Sequence, residues 1–183
     1  MKQQLLSTET SILLIIDIQE KFLATIPDLD TVIDNTAKMI AAAVELDIPI
    51  IVSEQYPRGL GNTVDTIRRS VPADASVFEK TSFSCLGNSD LRECLVRHKR
   101  NQVIITGIET HICVQQTACD LLAAGFVPHI ISDAVSSRHQ NNKNAGLNKM
   151  RDAGAVISSV EIALFELLRD SSHPSFKKLR HLV

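Results

Sequence analysis

Residues 102–132 read QVIITGIETHICVQQTACDLLAAGFVPHIIS, and the spacing of their apolar side chains changes character twice. The first seven residues, QVIITGI, form a short apolar run rich in β-branched side chains, the pattern of a strand covered on both faces. From Cys113 onward the period lengthens. Val114, Ala118, Leu121 and Leu122 fall on one side of a helix that stops at Gly125, a residue suited to the left-handed C-terminal position, with apolar Phe126 behind it. VPHIIS, residues 127–132, is again a strand run. A strand, a helix and a strand joined this closely make a βαβ unit, which requires the two strands to be parallel.

The same alternation extends over the rest of the chain. Further strand runs are SILLIID (11–17), IPIIVS (48–53), SVFEK (76–80) and AVISS (155–159). Between them, Val32, Ile33, Ala37, Ile40 and Val44 mark one helix face, and Leu91, Leu95 and His98 mark another that begins at Asn88 or Ser89 as cap. A further helical stretch from His139 to Ala153 ends at Gly154. Neither an internal repeat nor a linker divides the 183 residues, so the expected fold is α/β. It is a single domain over residues 1–183, a three-layer α/β/α sandwich with a mainly parallel, roughly six-stranded doubly wound sheet.

Composition narrows the function classes. Hydrophobic residues make up 44% of the chain and charged residues 22%, and the formal charge is −2, which offers no electrostatic footing for nucleic acid or an anionic membrane. A small-molecule substrate is the expected partner. The mildly basic last stretch, RDSSHPSFKKLRHLV, reads as a solvated tail or subunit contact. Four cysteines, at 85, 94, 113 and 119, are too few for a disulfide scaffold and form no C-x-x-C pair, so reduced thiols in the cytoplasm are expected. The N-terminus carries Lys2 and then polar residues, and the apolar run ending at Asp17 is too short for a spanning helix or a signal-peptide core.

In an open parallel sheet, ligands bind beyond the carboxyl ends of the strands, so the residues closing each strand are the first candidates for chemistry. Asp17 closes the first run and Lys80 the third, and the fourth leads within a few residues to Cys113. Each also has an ordinary structural role open to it: Asp17 as the cap of the segment IQEKFL, Lys80 as a solvated lysine, Cys113 as a small buried hydrophobe. Cys113, however, falls at a helix N-terminus, where free N–H groups and the helix dipole favour thiolate. Cys119 lies six residues on and faces elsewhere, and Cys85 and Cys94 read as packing or surface residues. A thiol nucleophile needs a base, a cation to hold that base, and N–H donors for the oxyanion, and Asp17, Lys80 and the backbone at Cys113 can supply all three.

These residues resemble those of the isochorismatase-like cysteine hydrolases, a family that includes nicotinamidases and carbamoylases. LLIIDIQEKF resembles the first motif of that family, VFEKTSFSCL its lysine motif and VIITGIETHICVQQTACDLLAAGF its cysteine motif, with ISDAVSSR following. The resemblance covers nearly the whole chain. It implies Asp17 as general base, Cys113 as nucleophile on a carbonyl carbon, Lys80 as the residue that orients Asp17, and the backbone N–H groups of Glu109 and Cys113 as the oxyanion hole. In the family the peptide before the first of those donors is cis, which here falls between Ile108 and Glu109. The family also assembles, so a homo-oligomer is expected.

Two departures shape the substrate. Nicotinamidases place an Asp-x-His pair and a further histidine after the second strand to bind metal, whereas this chain reads VSEQYPRGLGNTV there and has no histidine before His98. No catalytic metal and no cofactor are expected. The founding enzyme lacks a cysteine nucleophile and hydrolyses a vinyl ether, so Cys113 puts this chain on the side that cleaves amide-like C–N bonds. The VSEQYPRGLGNTV loop looks like that of the isochorismatase domain-containing branch. Gln19, Phe22, Tyr56 and Phe83 are candidate substrate contacts, and PRGLG reads as a tight turn or flap. Two other readings stay open: a catalytically weak interaction protein and a peroxide-sensitive thiol protein on the same fold.

Overall fold

The computed structural model describes residues 5–183, so Lys2 lies outside the described residues. Six strands form one wholly parallel sheet in the order β3-β2-β1-β4-β5-β6. They are β1 (Ser11–Ile16), β2 (Ile50–Gln55), β3 (Ser76–Lys80), β4 (Gln102–Ile108), β5 (Val127–Ser136) and β6 (Val156–Ser158). The helices are α1 (Leu29–Glu45), α2 (Pro57–Leu60), α3 (Asp65–Ser70), α4 (Ser89–Arg97), α5 (Gln115–Ala123), α6 (Gln140–Ala153), α7 (Val160–Leu168) and α8 (Phe176–Leu179). Among the described residues, no helix is long and apolar enough to cross a membrane.

β1 shows why the sheet lies in the middle. All six of its residues are fully buried. Leu13 and Ile15 enter one core with α1 and α7, while Ile12, Leu14 and Ile16 enter a second core with α4, α5 and α6. A strand covered by helices on both faces cannot alternate apolar with polar, which accounts for the unbroken SILLII run. Where β5 continues past Ser132 to Ser136, the extra residues include Asp133, whose carboxylate accepts the Val160 N–H at 3.0 Å. This partner, 27 positions away, permits an acidic residue in a strand.

Two helix faces differ from expectation. In α1 the expected Val32, Ile33 and Ile40 are buried, but the buried face is centred on Val32, Thr36, Met39 and Ala43, and Val44, at the edge of the expected row, is 50% exposed. Thr36 is polar yet fully buried, which hid the true centre. In α4 the Asn88 side chain caps the helix by accepting the Leu91 N–H, but Cys94 completes the buried face and His98 is exposed.

His129 in β5 is 1% exposed, and neither ring nitrogen has a partner among the described residues. Burial pushes its pKa from 6.5 down to about 4. The unfolded chain therefore binds a proton that the native chain refuses across this window, so stability falls as pH drops from about 6.5 toward 4. The shift corresponds to about 3 kcal/mol. Urea unfolding at about pH 7 and about pH 4.5 should show this loss in the wild type and much less of it in His129→Leu, with an equal loss in both removing His129 as its cause.

Candidate active site

The strand order reverses direction at β1 and β4, so their carboxyl ends part and leave a crevice. Asp17 follows β1 directly with φ 53°, a left-handed conformation uncommon outside glycine. Its backbone N–H donates to the Ser53 carbonyl at 3.1 Å, and its carboxylate receives two charge-fixing donors. Ser53 Oγ donates to Oδ1 at 2.7 Å and Lys80 Nζ to Oδ2 at 2.7 Å. The pair is buried, with side-chain exposures of 1% and 0%. Lys80 Nζ also donates to Gln55 Oε1 at 2.7 Å and to the carbonyls of Ser82 and Phe83 at 3.3 and 3.2 Å. The ordinary roles open to these two residues are therefore not the ones they fill. The short helix after Asp17 has Gln19 as its cap position with no side-chain cap bond, and Lys80 is not solvated.

Cys113 reaches the same crevice from β4. The peptide bond between Ile108 and Glu109 is cis, and the chain then makes a π-helical turn over Thr110–Val114 before α5 begins. Within this turn the Glu109 carbonyl accepts from Ile112 N at 3.0 Å and Val114 N at 3.3 Å, the two residues flanking Cys113. The Glu109 side chain is held by Arg138, through its backbone N at 2.9 Å and Nε at 3.1 Å. Two glycines let the elements close on the turn. A Cβ on Gly107, which has φ 120°, would lie 2.0 Å from the Ile16 carbonyl, and one on Gly146 of α6 would lie 2.9 Å from His111 Cα. His111 itself hydrogen-bonds Ser137 at 3.0 Å and lies beside Asn142, which ties the turn to the segment before α6.

The electrostatics correct one expectation. Burial, then the nearby Asp17 charge, push the Cys113 thiol well above its ordinary pKa, with Lys80 pulling the other way. Cys113 is not the first residue of a helix but sits inside the turn, 6% exposed, so desolvation and an anion outweigh the dipole that favoured thiolate. Burial and the Asp17 charge thus both favour the neutral thiol over the thiolate. That also weighs against a peroxide-sensitive thiol, because the thiolate is the species that oxidises. Burial works against the charge on Lys80, but Asp17 and the neighbouring thiols outweigh it and hold the ammonium above its ordinary value. Cys85 is fully buried behind the pair, with its sulfur 3.5 Å from Ser53 Oγ and its pKa pushed up to about 11 by burial and then by Asp17.

Asp17, Cys113 and Glu109 share a small cavity of about 120 Å³. Phe22 and Phe83 line it, together with Ile108 of the cis peptide and with Gln55, Leu60 and Ile112, which sequence reasoning did not nominate. Gln19 and Tyr56 are not among its walls. Gln19 is fully buried and clamps the loop ahead of α3, donating to the carbonyls of Gln55 and Gly61 and accepting the Gln55 N–H at 2.8 Å. Tyr56 points to a wider outer cleft of about 470 Å³ on the far side of Lys80. PRGLG forms the single turn α2 and ends at Gly61, with φ 78°, which leaves Leu60 facing the cavity. Ser53, the last residue of a strand run, was open to the rule that nominated Asp17 and Lys80. Gln55 carried no such signal. Among the described residues, no group of three or more His, Cys, Asp or Glu side chains is placed to hold a metal ion.

Comparison with known proteins agrees with this fold. The profile of the isochorismatase domain matches residues 11–162. Isochorismatase family protein 1A of Dictyostelium discoideum is 42% identical over 95% of this chain and 86% of its own length. The secreted isochorismatase effector Isc1 of Phytophthora sojae is 40% identical over 95% and 84%. Among solved structures, the MAR1 ribonuclease of Caenorhabditis elegans superposes with a TM-score of 0.94 at 37% identity, covering 98% of this chain and 92% of that one.

Proposed function

The chain belongs to the isochorismatase family, and from that premise we propose that it is a cysteine hydrolase that cleaves a small amide-like C–N bond with Cys113, Asp17 and Lys80 and without a metal. The observation that carries this reading is a carboxylate held on both oxygens, by Lys80 and Ser53 at 2.7 Å each, sharing a small cavity with the Cys113 side chain. Such a carboxylate is held in place to exchange protons with the sulfur that shares its cavity.

In this mechanism Asp17 takes the Cys113 proton as sulfur attacks the carbonyl carbon, so that the buried thiolate exists only as it is consumed. The tetrahedral oxyanion is received by the Glu109 and Cys113 N–H groups. The C–N bond then breaks while Asp17 returns the proton to the departing nitrogen, leaving a thioester and a free amine or ammonia. Water attacks the thioester, with Asp17 accepting its proton and passing it to sulfur, and the carboxylic acid leaves. Lys80 keeps the Asp17 carboxylate aimed through every step. The free state of all four cysteines accords with a reducing, cytoplasmic location. A homo-oligomer is part of the same proposal, and light scattering that finds a monomer at micromolar concentration removes that part.

The test is ammonia release from a panel of small primary amides, with rapid quenching and intact-mass measurement to trap an acyl group on Cys113. Cys113→Ala should lower turnover by about 10⁴-fold or more. Hydrolysis that survives Cys113→Ala would overturn the reading. So would cleavage of RNA, the activity in the name of the 37% identical nematode protein, if the same substitution leaves it intact. No acyl adduct with any amide would favour a binding protein.

A further inference from the structure

Resting on that reading, we infer that the acyl part of the substrate is short, uncharged and apolar: a small aliphatic amide rather than an amide that also carries a carboxylate or an aromatic ring system. The cavity at Cys113 is lined by Phe22, Leu60, Phe83, Ile108 and Ile112, and the one neutral polar side chain among its walls, Gln55, already makes two hydrogen bonds. Gln55 Oε1 accepts from Lys80 at 2.7 Å and its Nε2 donates to the Thr81 carbonyl at 2.8 Å. At about 120 Å³ the space is far below the roughly 300–1,000 Å³ of cavities that enclose drug-sized ligands.

Charge bookkeeping points the same way. Both acids on the wall are paired, Asp17 with Lys80 and Glu109 with Arg138. Lys80 has no exposed side-chain surface and already donates to four oxygens. The Arg138 side chain is 53% exposed beyond the Glu109 carboxylate that it serves. A carboxylate brought in with the substrate would therefore lose hydration against apolar walls with no cation among the lining residues to meet it, a cost that buried ions meet only through close pairing. A cationic group would find both carboxylates already spent. A neutral acyl chain pays neither cost and gains contact with the aromatic and aliphatic walls.

The experiment uses two reagents of nearly the same shape, iodoacetamide and iodoacetate. Each alkylates Cys113 by the same balanced step: the sulfur–carbon bond forms, the carbon–iodine bond breaks, iodide leaves, and the thiol proton passes to Asp17 and then to solvent. The ratio of neutral to anionic rates is measured at Cys113 by mass spectrometry and compared with the ratio for 2-mercaptoethanol in the same buffer. We expect the Cys113 ratio to be larger by at least about tenfold, the factor that corresponds to 1.4 kcal/mol. Phe83→Arg, which places a cation at the cavity rim from a side chain already 53% exposed, should bring the ratio back toward that of the free thiol. In parallel, isobutyramide should be hydrolysed faster than succinamic acid, a short-chain amide that carries a carboxylate. A Cys113 ratio equal to that of the free thiol, or succinamic acid turned over as fast as isobutyramide, overturns this inference and leaves the hydrolase standing. A Cys113 inert to both reagents overturns the hydrolase reading and this inference with it.

Discussion

Asp17→Asn should make Cys113 a more acidic thiol and the protein a far worse catalyst at the same time. The two effects have opposite signs because the Asp17 carboxylate does two things to the sulfur. After burial itself, its negative charge is the largest influence raising the Cys113 pKa, and Lys80 is the counterweight. The amide of asparagine has nearly the same shape and can still accept from Lys80, but it carries no charge. Removing the anion leaves Lys80 unopposed, so the thiolate forms at lower pH than in the wild type. The base that receives the proton and returns it to the leaving nitrogen is lost with it, which should lower turnover by about 10²–10⁴-fold. Thiolate absorbance followed against pH reads the first effect and ammonia release the second. A cysteine that merely packs the core would show no change in turnover. If the substitution raises the thiol pKa, or costs less than about tenfold in rate, Asp17 is not the base.

How far the sequence reaches can be judged from the same residues. The central strands β1 and β4 were legible because strands buried on both faces must be apolar throughout, and the crevice followed because parallel strands bring their carboxyl ends to one edge. Asp17 and Lys80 were visible as polar punctuation at the ends of such runs. The contacts that give those residues their roles were not. Ser53 meets Asp17 across 36 positions and Gln55 meets Lys80 across 25, and no local pattern records which polar residues at neighbouring strand ends will face each other. The same limit misled the reading of Gln19, whose fully buried amide looks like any loop glutamine until the carbonyls of Gln55 and Gly61 are seen around it. The acidity of Cys113 was misjudged for a different reason. Helix position is written in the sequence, but desolvation depends on what covers the residue, and here the cover and the Asp17 charge outweigh the dipole.

Lys80→Met should be the most destabilising of the single changes in the site, and the size of the loss tests whether the pair is a unit. Lys80 and Asp17 are buried to 0% and 1% side-chain exposure at 2.7 Å. Methionine fills much of the lysine stem's volume but leaves the Asp17 carboxylate, 1% exposed, with Ser53 as its remaining side-chain donor. Breaking a buried pair from one side in this way costs about 3–5 kcal/mol, which in a chain of this length lowers the melting temperature by roughly 10 °C. The double variant Lys80→Met with Asp17→Asn has no buried charge left to strand, so it should regain most of that stability. Its turnover should stay as low as that of either single variant, since base and cation act as one device. Recovery of stability without recovery of rate separates the cost of holding a charge in the core from the use the reaction makes of it. Two single losses that simply add, in melting temperature and in rate alike, would mean that Asp17 and Lys80 serve the fold independently and that the site needs another base.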